Sequence, residues 1–174
     1  MAKIIYKEGQ EGQNRLDCIE GIEIELLNGQ KALIYPKYAE TMLLESEQIN
    51  EWNAREETEI EALKVEETNG KTVSLLRLGS PAAKWVSQFW LDKHGIFCLP
   101  SLLAAMELQH QKNDIDALAE TIEGADLLRD YTSLVWSCSR YYESYGWIAV
   151  GFCGFANYCT VYNSYLSVPV ILYR

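Results

Sequence analysis

The sequence predicts an α+β protein with strand-rich ends and a helical middle. Three observations carry that prediction. Isoleucines 22 and 24 alternate with Glu23 and Glu25, and the same two-residue period returns from Ser133 onward. Between residues 80 and 123 the apolar period lengthens to that of helices. Asn28-Gly29 separates two apolar runs, which is the strongest short hairpin signal.

Taken in order, KIIY, GIEIELL and KALIY are short strands, the last two forming the hairpin, with one face of GIEIELL in solvent. Residues 40–67 hold most of the net negative charge, with ten acidic side chains against two basic ones. There Ile49, Trp52, Ile60 and Leu63 fall at helical spacing, and Ser46 marks the start. TNGKT reads as a turn and VSLLRL as a strand. Ser80-Pro81 opens a helix whose stripe is Ala82, Trp85, Val86, Phe89 and Trp90, ended by DKHG. A second helix takes Leu99, Leu102, Leu103 and Met106 as its stripe, with Pro100 in its first turn. A third is capped by Asn113 or Asp114, faces Ile115, Leu118, Ala119 and Ile122 inward, and stops at Gly124. TSLVW, GWIAV, TVY and VPVILY are strands parted by glycine, serine and asparagine. Pro169 cannot donate to a ladder, so it needs an edge, a bulge or an outward position.

Composition narrows the function classes. An apolar fraction of 48%, with five tryptophans and eleven tyrosines, belongs to a soluble globular protein with a real core. A net charge of -10 excludes a nucleic-acid surface or an anionic membrane surface as the general partner. No run approaches the length of a signal peptide or a membrane span, so the expected compartment is the cytoplasm. Cys18, Cys98, Cys138, Cys153 and Cys159 are odd in number and irregular in spacing, which fits free thiols rather than disulfides.

Catalytic motifs are missing. There is no phosphate-binding glycine loop, no H-E-x-x-H and no C-x-x-C, and the only histidines, His94 and His110, lack cysteines at metal-ligand spacing. Asn113-Asp114-Ile115-Asp116 offers too few oxygen ligands for a calcium loop. Cys153 and Cys159 have no nearby histidine to activate them. No cofactor and no metal are expected.

The C-terminal fifth is different in kind. Residues 140–174 contain seven of the eleven tyrosines and only three charged side chains. Tyrosine supplies stiff amphipathic contact area, while serine, glycine and asparagine supply short adaptable polar contacts, the mixture that serves antibody-type binding loops. Two readings stand at this point: a glycine-rich meander whose tyrosines pack into the core, and a displayed binding face.

Trp136-Ser137-Cys138-Ser139-Arg140-Tyr141, then Trp147, Gly154 and Val168-Pro169-Val170, together with Leu99-Pro100-Ser101, resemble the motifs of a bacterial C-type-lectin-like module. Cys138 replaces the second serine of the family's tryptophan-serine-serine motif, and Val168 replaces the arginine of its closing strand. The resemblance covers about residues 75–174 and leaves 1–74 as a separate N-terminal element of strands and an acidic helix. It implies two main helices flanking a small twisted antiparallel sheet. Relatives include the variable receptor-binding proteins of diversity-generating retroelements, found in phages and gut bacteria. By that likeness the contact surface would comprise Tyr142, Ser144, Tyr145, Phe152, Cys153, Phe155, Asn157, Tyr158, Cys159, Tyr162 and Ser164. Trp136, Ser137, Tyr141, Trp147 and Pro169 would be scaffold. The partner would be a protein or another surface ligand, and the protein a component of a phage or prophage. The alternatives are an assembly subunit without a variable site and, more remotely, an enzyme of unknown class.

Overall fold

The computed structural model describes residues 1–45, 68–131, 134–142, 145–150 and 155–173, with the backbone alone for 140–142, 145–150 and 155–159. The chain is mixed α+β. It opens with β1 (Lys3–Tyr6), β2 (Ile19–Glu25), β3 (Lys31–Ile34) and β4 (Ala39–Met42). Helices α1 (Thr68–Arg77) and α2 (Pro81–Ser87) precede a hairpin of β5 (Trp90–Leu91) and β6 (Gly95–Ile96). Then come α3 (Leu102–His110), α4 (Lys112–Ala119), β7 (Val135–Tyr142), β8 (Tyr145–Val150), β9 (Phe155–Thr160), β10 (Ser164–Ser167) and β11 (Val170–Tyr173).

Two larger sheets result, in the orders β1-β2-β3-β11 and β4-β10-β7-β8-β9. Their pairs are antiparallel except β7–β10, which is parallel. The two sheets are joined by a bent ribbon. Ile34 pairs with Val170 in the first sheet, and Ala39 pairs with Ser167 in the second. At the corner Pro169 is buried, needs no ladder donor, and accepts the Tyr35 amide at 3.1 Å. On the same corner the Asp126 carboxylate takes the Tyr38 amide at 3.0 Å and the Lys37 ammonium at 3.2 Å. Both sheets therefore draw strands from either side of residue 74, and α1 runs across it.

The β2–β3 hairpin forms as its Asn-Gly predicts. Gly29 adopts a φ of 79°, and its amide closes the turn onto the Leu26 carbonyl at 2.9 Å. Ile22 and Ile24 enter the main core with Ile34, Ala104, Ala105, Leu108, Ile115 and Ala119. The opposite face of this sheet is not in solvent. Leu33 and Ile171 pack there on Phe97, flanked by Ile5, Tyr35, Phe89, Leu91 and Tyr173. Glu23 lies on that covered face with its side chain only 10% exposed, held by Lys3 at 3.1 Å, Lys31 at 3.6 Å and the Tyr173 hydroxyl.

Burial pushes the Glu23 carboxyl up, but the Tyr173 hydroxyl and the two lysines outweigh it and leave it below its ordinary value. A carboxyl depressed in the folded state adds stability above its unfolded pKa of about 4.3 and loses it as pH falls through the lower folded value. Glu23→Gln should therefore flatten the acid limb of the stability-against-pH curve below about pH 4. Denaturant melts from neutral to acid pH check this, and parallel wild-type and variant curves would refute it.

Several elements differ from their sequence patterns. TNGKT and VSLLRL form one helix rather than a turn and a strand. Thr68, Thr72 and Leu75 lie buried at i, i+4 and i+7, and the Thr72 hydroxyl donates to the Thr68 carbonyl while accepting the Leu99 amide. Helix α2 stops at Ser87, because Phe89 turns away to meet Trp85 and Tyr35, and Gly95 with a φ of 81° closes the β5–β6 hairpin. Trp90 thus leaves the apolar stripe and is 63% exposed. Ser101, not Pro100, begins α3 by accepting the Ala104 amide at 3.1 Å. Helix α4 starts at Lys112 and ends at Ala119, so Asn113 and Asp114 do not cap it and Gly124 does not end it. TVY contributes only Thr160 to a strand. The acidic helix expected from Ser46, with Ile49, Trp52, Ile60 and Leu63, falls outside the described residues.

No helix among the described residues is long and apolar enough to cross a membrane.

Candidate binding surface

The tyrosine-rich segment becomes the ribbon β7-β8-β9, and its first strand is the anchored one. Trp136 is fully buried among Leu43, Leu44, Leu75, Ala82, Val86 and Leu99. Its indole N–H donates to the Thr41 carbonyl at 2.8 Å, and its ring meets Tyr165 edge-on at 5.2 Å. Between Trp136↔Ile148 and Arg140↔Gly146, β7 advances by more residues than β8, so it bulges. The bulge is satisfied elsewhere. Cys138 donates its amide to the Pro100 carbonyl at 2.9 Å, and the Ser139 amide reaches the Ser137 hydroxyl at 3.2 Å. Ser137 and Ser139 are fully buried. Leu99-Pro100-Ser101 and Trp136-Ser137-Cys138 are thus in direct contact.

Farther out, β8 and β9 pair one-to-one from Tyr145↔Thr160 to Val150↔Phe155. Opposite positions in such a ladder share a face. Positions 145, 147, 158 and 160 therefore fall on one face, and 146, 148, 155, 157 and 159 on the other. The candidate positions Tyr145 and Tyr158 share a face with Trp147, whereas Phe155, Asn157 and Cys159 occupy the reverse one. Tyr141 and Tyr142 close β7, where Tyr142 pairs with Tyr145. Ser144, Phe152 and Cys153 lie outside the described residues. Helix α3 packs against the ribbon.

The turn after β9 separates anchor from projection within two residues. Val161 is fully buried, and its carbonyl accepts the amides of Leu43 at 2.9 Å and Leu44 at 3.1 Å. Tyr162 beside it is 49% exposed, and Ser164 is exposed as well.

Three exposed large apolar side chains among the described residues lie outside the sequence-based candidates: Met1, Trp90 and Leu27, the last 82% exposed at the β2–β3 tip. Leu27 carried a signal, since it continues the apolar run of Leu26 where alternation calls for a polar residue. A cleft of about 690 Å³ lies between this tip and α3, lined by Leu26, Leu27, Leu103, Met106, Glu107 and His110, and it contains none of the candidate residues.

Chemically the described groups are quiet. No cluster of three or more histidine, cysteine, aspartate or glutamate side chains among the described residues could hold a metal ion. Cys18, Cys98 and Cys138 are buried and form no disulfide. Burial pushes the Cys98 thiol up to about 11, against a smaller opposing effect of the Thr72 hydroxyl, so it is protonated near neutral pH. Burial, with Asp116 and Asp126 nearby, likewise holds the Tyr38 hydroxyl well above its ordinary range.

No family model matches this chain, and neither a curated protein nor a solved structure matches it.

Proposed function

We propose that this protein is a non-enzymatic binding module on a C-type-lectin-like scaffold, similar to the variable receptor-binding proteins of diversity-generating retroelements. Its contact surface is the tyrosine-, serine- and glycine-rich ribbon, and its partner is a protein or another surface ligand. The observation that carries this reading is the turn after β9, where exposed Tyr162 and Ser164 flank a fully buried, twice hydrogen-bonded Val161. A tyrosine held out by an anchored neighbour is preorganised for contact, because little torsional freedom remains to be lost on binding.

Three further features support it. The last strand, β11, returns to pair with the N-terminal strand β3. The motif segments around Pro100 and Trp136 are joined by a backbone hydrogen bond. Residues 144–173 contain no charged side chain, so a ligand meets no repelling field along them.

The test is a set of close relatives from one genome or phage population. Substitutions should concentrate at Tyr142, Ser144, Tyr145, Phe152, Cys153, Phe155, Asn157, Tyr158, Cys159, Tyr162 and Ser164, while Trp136, Ser137, Tyr141, Trp147 and Pro169 stay fixed. Substitutions scattered evenly over the chain would sink the reading. Tyr162→Ala should also leave stability within about 0.5 kcal/mol of wild type, as exposed positions do. A loss several times larger in a denaturant melt would put the ring in the core instead.

A further inference from the structure

Two Asn-Gly steps occur in the sequence, Asn28-Gly29 and Asn69-Gly70, and both asparagines are exposed. An asparagine side chain can close a five-membered ring onto the next backbone nitrogen, and glycine, with no Cβ, leaves that nitrogen least screened. Closure needs the Cα–C bond of the asparagine to swing until the nitrogen faces Cγ. Neither a turn nor a helix holds that arrangement at rest, so the surrounding structure decides which step reacts. At Asn28 the bonds given up are local. The Gly29 amide leaves the Leu26 carbonyl at 2.9 Å, the Gln30 amide leaves Asn28 Oδ1 at 3.0 Å, and Asn28 Nδ2 leaves Gln30 Oε1 at 2.7 Å. Leu27, Asn28 and Gly29 are exposed, and a Cβ on Gly29 would meet nothing within 4 Å, so water replaces these bonds at an uncrowded tip. At Asn69 the same swing unwinds the first turn of α1. There the buried Thr72 hydroxyl donates to the Thr68 carbonyl at 2.9 Å and accepts the Leu99 amide at 3.1 Å, so the cost extends to a tertiary contact.

We propose that Asn28 is a self-modification site, converted to aspartate and isoaspartate by its own neighbour while Asn69 is protected. The Gly29 nitrogen attacks Asn28 Cγ and a C–N bond forms. The Cγ–Nδ2 bond breaks, and ammonia leaves with the proton that the Gly29 nitrogen gave up. Water, the co-reactant, then adds to either carbonyl of the succinimide and opens the ring. No electrons are gained or lost in either step. Both products put a carboxylate at a position that was neutral, beside Leu27, which lines the cleft against α3 with Leu26. Isoaspartate also routes the main chain through Cβ. The extra backbone atom disturbs the Gly29–Leu26 and Leu26–Gln30 hydrogen bonds that close the hairpin. The β2–β3 tip, and with it one wall of the cleft, thus changes with the age of the molecule.

The experiment is incubation of the full folded chain in mildly alkaline buffer made with oxygen-18 water, followed by peptide mapping in a mass spectrometer. Digestion in ordinary water separates conversion of the folded chain from conversion during handling. The Asn28 peptide should split into aspartate and isoaspartate forms, each carrying one heavy oxygen. The Asn69 peptide should convert about tenfold more slowly or less, the factor that a cost of one or two hydrogen bonds sets. In denaturant the two steps should convert at similar rates, since both are Asn-Gly and only the fold distinguishes them. Three results would overturn the proposal. One is an Asn28 that stays intact in the folded chain over the time in which it converts in the unfolded one. Another is an Asn69 that converts as fast as Asn28 in the folded chain. The third is aspartate without isoaspartate, which would mean direct hydrolysis with no ring.

Discussion

Trp136→Ala should lower the unfolding free energy by about 3–5 kcal/mol, the cost of removing a large buried aromatic and leaving its cavity. Trp136 leads the fully buried side chains by volume, and it sits where four separate stretches converge: the turn after β4, α1, α2 and Leu99. Its hydrogen bond to the Thr41 carbonyl ties β7 to β4, strands that do not neighbour one another in their sheet. Against the roughly 5–15 kcal/mol that holds an ordinary domain together, this is a large share. Denaturant melts followed by circular dichroism measure it. Trp136→Phe keeps most of the ring but loses the indole N–H, so it should fall between the alanine variant and wild type. An alanine variant within about 1 kcal/mol of wild type would mean that the site collapses around the lost ring.

Gly21→Ala should destabilise by about 1–3 kcal/mol, and Gly21→Val by more, through overpacking. A Cβ at Gly21 would stand 2.6 Å from the Ile34 carbonyl oxygen and 3.0 Å from two Leu33 side-chain atoms. The oxygen belongs to the backbone of β3, and Ile34 is paired both to Ile22 and to Val170, so it cannot yield without disturbing the corner of the ribbon. For a domain of this size the change corresponds to a melting shift of roughly 3–10 °C. Gly70 provides the contrast. It lies within α1, is exposed, and would place a Cβ in open space. Gly70→Ala should raise stability by about 0.5–1 kcal/mol, because alanine gives up less backbone freedom in a helix. Thermal melts of both variants should move in opposite directions, and two downward shifts would defeat the steric account.

The elements that local chemistry can specify were legible in the sequence. The β2–β3 hairpin follows from Asn28-Gly29, where glycine alone takes the left-handed backbone cheaply. The start of α2 follows from Ser80-Pro81, whose hydroxyl accepts the Ala83 amide at 3.1 Å. Strands β7 and β8 follow from the two-residue period of TSLVW and GWIAV, whereas β9 forms from residues that this period does not mark. Of the candidate surface, Tyr162 and Ser164 are the residues whose side chains are described, and both are exposed.

What only the tertiary structure decided are the features whose partners lie far along the chain. Strands β4 and β10 carry little pattern of their own, because what stabilises each is the other, more than a hundred residues away. Helix α1 overrides an Asn-Gly and an alternating run because Thr72 and Leu75 meet Leu99 and the Trp136 cluster only when wound as a helix. Glu23 reads as a solvent-facing charge, yet Lys3 and Tyr173, from the two ends of the chain, enclose it. Local rules see a few residues at a time, and these contacts gain their free energy from burial and pairing that exist only after the distant segments have met.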